Sequence, residues 1–239
     1  MRVDNNGIPI LSDAEIEARA EGLLETVDQE LLIVPCEAPI GNIFEFLKKE
    51  HGVQVEFCDL GVKNGYKILG RVVFSTDTIL IDEQLPVTNN SSFLFTCAHE
   101  IGHWLLHSSC KIKIDKKPAL NELSDDEGSL RIRKKSRIDS PARWLEHQAN
   151  VFAASLLMPK NAVINAVVQI QKDLGINRNL GEIHISKEVY TKRDFSKILD
   201  GLHDIFQTSF TAMKIRLEEC GVIIDQEKPS QFLYKFRLW

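Results

Sequence analysis

Basic residues, cysteine pairs and long apolar runs are all scarce in this sequence, and each scarcity removes a class of protein. Lys and Arg number 29 against 34 Asp and Glu, giving a net charge of −5 and a pI near 5.8. A chain with that balance is not a general nucleic-acid binder, although a local basic patch is compatible with it. Cysteine occurs five times, as Cys36, Cys58, Cys97, Cys110 and Cys220, an odd number with no C-x-x-C pair. That argues against both a disulfide framework and a cysteine-based zinc knuckle, and suits free thiols in a reducing cytoplasm. The longest apolar runs, such as 31–35, fall far short of the roughly 20 residues a membrane-spanning helix needs. The opening MRVDNNGIPILSDAE has no apolar h-region, so no signal peptide is expected. Internal repeats and low-complexity tracts are also missing. The expectation is a soluble, cytoplasmic protein with no membrane partner.

What is present is ordinary globular composition. The 239 residues are 44% hydrophobic and 26% charged, enough for one large domain or a main domain with a small appendage. Ser12-Asp13-Ala14-Glu15 reads as a capping box opening a helix of about 15 residues, with Ile16, Ala20, Leu23, Leu24 and Val27 on its buried face. A shorter helix follows, carrying Ile40, Ile43, Phe44 and Leu47, with Gly52 placed to stop it. Val53, Val55 and Phe57 alternate as in a strand, and 66–74 and 77–82 read as two more, with Ser75 and Thr76 in the turn. The run 89–92 supplies helix-starting residues for a largely buried helix to about His107. Residues 108–140 mix lysine-rich and acidic patches and read as a long surface loop. Ser140 and Pro141 restart helix, which Pro159 ends; further helices are expected over 161–173, 194–206 and 210–220.

The chemistry lies in His99-Glu100-Ile101-Gly102-His103, an H-E-x-x-H motif on a helix. Positions i and i+4 share one helix face, so two imidazoles at that spacing can bind one metal ion. Glu100, beside the first of them, is placed to take a proton from an attacking water as the catalytic base. A third protein ligand is needed, with the fourth position open. His107 lies about 12 Å from His99 along the helix axis and cannot share that ion. A glycine and a histidine three and six residues after His103 would signal another ligand pattern, but Leu106 and Ser109 stand there. The better candidate is Glu146 on the next strong helix. Asn150, four residues on, shares its face and is placed to hydrogen-bond an outer ring nitrogen or the ligand carboxylate. His147 is the rival, pointing about 100° away from Glu146. A His₂Glu set favours Zn²⁺.

Two blocks make the sequence resemble the ImmA/IrrE family of metallopeptidases: FTCAHEIGHWLLH (95–107) and WLEHQANVFAASLLMP (144–159). ILGRVVFSTDTILID (68–82) and FQTSFTAMKIRLEECGVI (206–223) agree more loosely, so the resemblance spans about residues 8–225. It implies an α+β fold: a zincin-like, thermolysin-type metallopeptidase domain over 8–175, its small strand set preceding the H-E-x-x-H helix, and a C-terminal helical segment over 176–239. It implies His99, His103 and Glu146 as zinc ligands and Glu100 as base. It also implies a protein substrate, since several members cleave a transcriptional repressor and so free mobile-element or stress-response genes. The strands at 66–82 would offer an edge to an extended substrate. Tyr66, Arg71, His107 and Tyr190 are the candidates for a donor to the oxyanion.

Two other functions are weighed against the peptidase. The helices flanking Gln207-Thr208-Ser209 would form a helix-turn-helix with Lys214 and Arg216 exposed, but Glu218 and Glu219 follow directly and make DNA binding the weaker expectation. The other is a metal-bound scaffold that binds a repressor without cutting it. No feature of the sequence specifies an oligomeric state.

Overall fold

The computed structural model describes residues 9–63, 65–108 and 141–225. The expected long loop lies outside them except for Ser108. The chain opens with α1 (Asp13–Val27), whose capping box is complete: Ser12 Oγ accepts from the Glu15 amide and Glu15 Oε2 accepts from the Ser12 amide at 2.7 Å. A short 3-10 turn at Gln29–Leu32 leads to α2 (Ile40–His51), stopped by Gly52 in the left-handed conformation at φ +73°. Strands β1 (Gln54–Cys58), β2 (Val62–Lys63), β3 (Tyr66–Lys67), β4 (Gly70–Val73) and β5 (Thr78–Asp82) follow.

The three-stranded sheet has the order β1-β5-β4, with β1 parallel and β4 antiparallel to the central β5. Ile79 and Ile81 of β5 are wholly buried, whereas Phe57 at the outer end of β1 is exposed and faces the Phe93 ring. The expected strand over 66–74 is two shorter ones, because β3 pairs back onto β2 while β4 pairs with β5. The turn after β4 is longer than Ser75-Thr76 alone, and Asp77 closes it at φ +47°.

A four-residue helix not expected from the sequence, α3 (Leu85–Thr88), carries Pro86 in its first turn, where a missing N–H costs nothing. Asn89 then caps α4 (Asn90–His107), its Oδ1 accepting from the Ser92 amide at 2.9 Å. Beyond come α5 (Pro141–Leu157) and α6 (Lys160–Asp173). The segment read as merely polar contains β6 (Ile183–Ile185), and α7 (Val189–Phe206) begins earlier than expected. Helix α8 (Phe210–Glu219) leads to β7 (Ile223–Asp225), which pairs in parallel with β6.

The architecture is α+β. Helix α4 packs against both the sheet and α5, and α1 covers α5 from the other direction. One hydrophobic core runs from Ile16 and Leu24 through Ile79, Ile101 and Phe152 to Ile198, Leu202 and Phe206 on α7. The expectation of an exposed Arg216 is corrected: it is 3% exposed, its Nε donates to Met158 O at 2.8 Å, and its guanidinium pairs with Glu17 of α1. Facing α8 toward the core, rather than outward, is what fully buries Met213 and Leu217 beside it. No single described helix is long and apolar enough to cross a membrane.

Candidate metal centre

Two close approaches build this site. The first is between helices. A Cβ on Gly102 would lie 3.0–3.2 Å from the Phe152 side chain, so the glycine inside the H-E-x-x-H motif lets α5 come flat against α4. The second is between α4 and the sheet. A Cβ on Gly70 would lie 2.8 Å from Glu100 Cγ and 2.9 Å from Glu100 Oε1, so the start of β4 runs directly over that carboxylate.

Between these contacts, the three side chains expected to share a metal converge. His99 Nε2 and His103 Nε2 are 3.0 Å apart. Glu146 Oε2 is 3.3 Å from His99 Nε2, and Glu146 Oε1 is 3.5 Å from His103 Nε2. Donors bound at about 2.0–2.1 Å in tetrahedral directions stand about 3.3 Å apart, the spacing seen here. The trio is the one cluster of three or more His, Cys, Asp or Glu ligand atoms found among the described residues. Both histidines are buried, while Glu146 is half-buried and forms the side nearest solvent. Asn150 stands where expected: its Oδ1 lies 3.0 Å from His99 Nδ1 and so leaves His99 Nε2 for the cluster.

The rival ligand is elsewhere. His147 Nε2 lies 3.0 Å from Asp13 Oδ1, and its ring stacks on Trp144. The four candidate oxyanion donors lie in different surroundings. Both ring nitrogens of His107 are engaged, with His103 and Gln148, and Tyr190 lies under the Arg178 guanidinium at 4.9 Å. Tyr66 and Arg71 are exposed on β3 and β4.

Charge in the site is balanced in a way that suits a cation. Burial pushes the Glu146 carboxyl up, but its close contacts with the His103 and His99 rings outweigh it and hold the group far below the usual carboxylate range. Burial alone would lower His99; its hydrogen bond to Glu146 and the charges of Glu146 and Glu100 reverse that and raise it. Glu100 is 1% exposed, and burial raises its carboxyl despite the two histidines. Its Oε1 is buried without a hydrogen-bond partner, which is costly for a carboxylate unless a ligand or water completes it. Three convergent donors and an unsatisfied carboxylate beside them fit a bound divalent cation with one open position.

Residues 48–193 match the model of a peptidase family described as the IrrE N-terminal-like domain, a span of more than half the 239 residues that includes the whole cluster. The chain belongs to this ImmA/IrrE family. No curated protein matches it. Among solved structures, a Mycobacterium tuberculosis transcriptional regulator is similar with a TM-score of 0.50 and 15% identity, over 91% of this chain and 48% of that one. The chain thus spans about half the length of that protein, and the likeness is one of fold. For this IrrE-like chain, four contributors to the site were not read from the sequence: Gly70, Gln148, the packing role of Gly102 and the place of His107. Only His107 had a local signal, since it repeats the i, i+4 spacing that joins His99 to His103.

Proposed function

We propose that this chain is a cytoplasmic zinc-dependent endopeptidase with a zincin-like site, acting on a protein substrate, and that the substrate is a transcriptional repressor. The observation that carries the reading is the convergence of His99, His103 and Glu146 beside a buried carboxylate with an unsatisfied oxygen. His99, His103 and Glu146 hold the zinc, and Asn150 orients His99. A zinc ion bound there would supply Lewis-acid chemistry for a carbonyl and a water.

Glu100 takes the proton of the attacking water and delivers it to the leaving amine nitrogen. Its burial supports that role, because a carboxylate raised from its ordinary value is a better proton acceptor. Strand β4 is an edge of the sheet and begins at Gly70, over Glu100. An extended substrate adding to that edge would bring its backbone past the base, with main-chain hydrogen bonds supplying register. The choice of a repressor rests on the family resemblance.

The test pairs the wild type with Glu100→Gln, each loaded with zinc and mixed with candidate repressors. New fragments are expected with the wild type only, and a chelator should stop them. Equal cleavage by Glu100→Gln would remove the proposed base. Zinc-dependent association without fragments would establish a non-cutting scaffold instead.

A further inference from the structure

A chain of hydrogen bonds leaves His103 on the side away from the cluster and ends on the main chain. His103 Nδ1 is 3.0 Å from His107 Nδ1, and His107 Nε2 is 3.0 Å from Gln148 Oε1. Gln148 Nε2 then donates to Pro9 O at 2.7 Å. His103, His107 and Gln148 are all buried.

The last partner decides the direction of every bond before it. A carbonyl oxygen only accepts, so Gln148 must turn its amide nitrogen to Pro9 and its oxygen to His107. That oxygen requires a hydrogen on His107 Nε2. His107 is buried and its two ring nitrogens face an amide oxygen and another imidazole, not a carboxylate, so the ring is neutral and carries no second hydrogen. His107 Nδ1 is then an acceptor. The hydrogen between the two Nδ1 atoms belongs to His103, and His103 Nε2 keeps a bare lone pair facing His99 and Glu146. Trp144 Nε1 donates to the same Pro9 oxygen at 3.3 Å and helps to hold it.

We infer that His107 and Gln148 are positioning residues that, anchored by the Pro9 carbonyl, lock His103 in the tautomer able to ligate a metal. The inference rests on reading His99, His103 and Glu146 as ligands. Ligand histidines held through the far ring nitrogen typically lose 10–100-fold in metal affinity when that partner is removed. The main-chain end of the relay gives it a signature: the Pro9 side chain is irrelevant, whereas the two side chains between are not.

Two measurements test this. In metal-free full-length protein labelled with ¹⁵N-histidine, nitrogen shifts at mildly alkaline pH should show His103 protonated at Nδ1; protonation at Nε2 would overturn the inference. Zinc affinity, measured by competition with a chromophoric chelator, should fall about 10–100-fold in His107→Phe and Gln148→Leu and stay unchanged in Pro9→Ala. His107→Asn, whose amide oxygen can stand in for Nδ1, should recover most of the loss. Wild-type affinity in His107→Phe, or an equal loss in His107→Asn, would show a packing role and overturn the relay. If His107→Phe does not fold, the nitrogen shifts of the wild type decide. If the wild type binds no zinc, the ligand reading fails, and the tautomer measurement still judges the relay separately.

Discussion

The backbone of Gly70 lies against the side chain of Glu100 with no room for a methyl group: an added Cβ would meet Glu100 Cγ at 2.8 Å, Glu100 Oε1 at 2.9 Å and Thr96 Cγ2 at 2.7 Å. Contacts under 3.0 Å force something to move, and Glu100 is buried with little space to yield. Gly70→Ala should therefore displace the carboxylate while leaving the metal ligands in place. A shift of about 1 Å in a catalytic group costs on the order of 10²-fold in rate. The expected result is kcat reduced by about that factor with zinc content unchanged. Retained kcat would mean that the base is not held by this contact.

Glu146 and His147 are neighbours in sequence but differ in surroundings, and paired variants separate them. Glu146→Ala should abolish stoichiometric zinc binding, because it takes one of three protein ligands. His147→Ala removes a contact with Asp13 and a ring stack on Trp144, but no member of the cluster, and should keep zinc at wild-type level. Metal analysis after dialysis is the readout, and the reverse pattern would reassign the third ligand.

Acid should weaken metal binding through His99 rather than through Glu146. His99 is raised above the ordinary 6.5, so metal must displace a proton from it near neutrality, whereas Glu146 is held far below 4.5 and is already ionised. Affinity should fall about tenfold per pH unit once that proton is competed for. The same shifts fix the stability of the metal-free protein. The His99 contribution is present in full below 6.5 and is lost as pH rises through the raised value; that of Glu146 is present above 4.5 and is lost as pH falls. Zinc should thus raise the Tm more at pH 8 than at pH 6. A larger gain at pH 6 would contradict the His99 assignment.

Arg216 tests the two readings of the C-terminal helices. Its bonds to Met158 O and Glu17 tie α8 to the end of α5 and to α1. Removing one member of a buried ion pair costs about 3–5 kcal/mol, and the partial exposure of Glu17 argues for the lower end. Arg216→Ala should lower the midpoint of urea unfolding accordingly. A variant of unchanged stability that loses DNA affinity would instead make Arg216 an exposed contact of a helix-turn-helix.

How much of this was legible beforehand follows from the distance over which each feature is encoded. His99, Glu100 and His103 were readable because a helix fixes their geometry within five residues. The helix boundaries near Ser12, Gly52 and Asn89 were readable for the same reason, since caps are local. Glu146 was named from its place on the next strong helix, with Asn150 on the same face, and the second family block agreed; nothing local says that α5 meets α4. Gly70 over Glu100 and Gln148 against Pro9 are tertiary contacts that no spacing records. Strands β6 and β7, three residues each and paired across two helices, offer too short a pattern for alternation to register. Arg216 was misplaced because a charged side chain defaults to the surface unless its buried partners, here Met158 O and Glu17, are known.

X-ray absorption at the zinc edge of the zinc-loaded full-length protein tests the central claim most directly. Expected is a four-coordinate ion with two imidazole nitrogens at about 2.0–2.1 Å, carboxylate oxygen, and one further light atom. A sulfur scatterer near 2.3 Å, or a spectrum unchanged by Glu146→Ala, would contradict it.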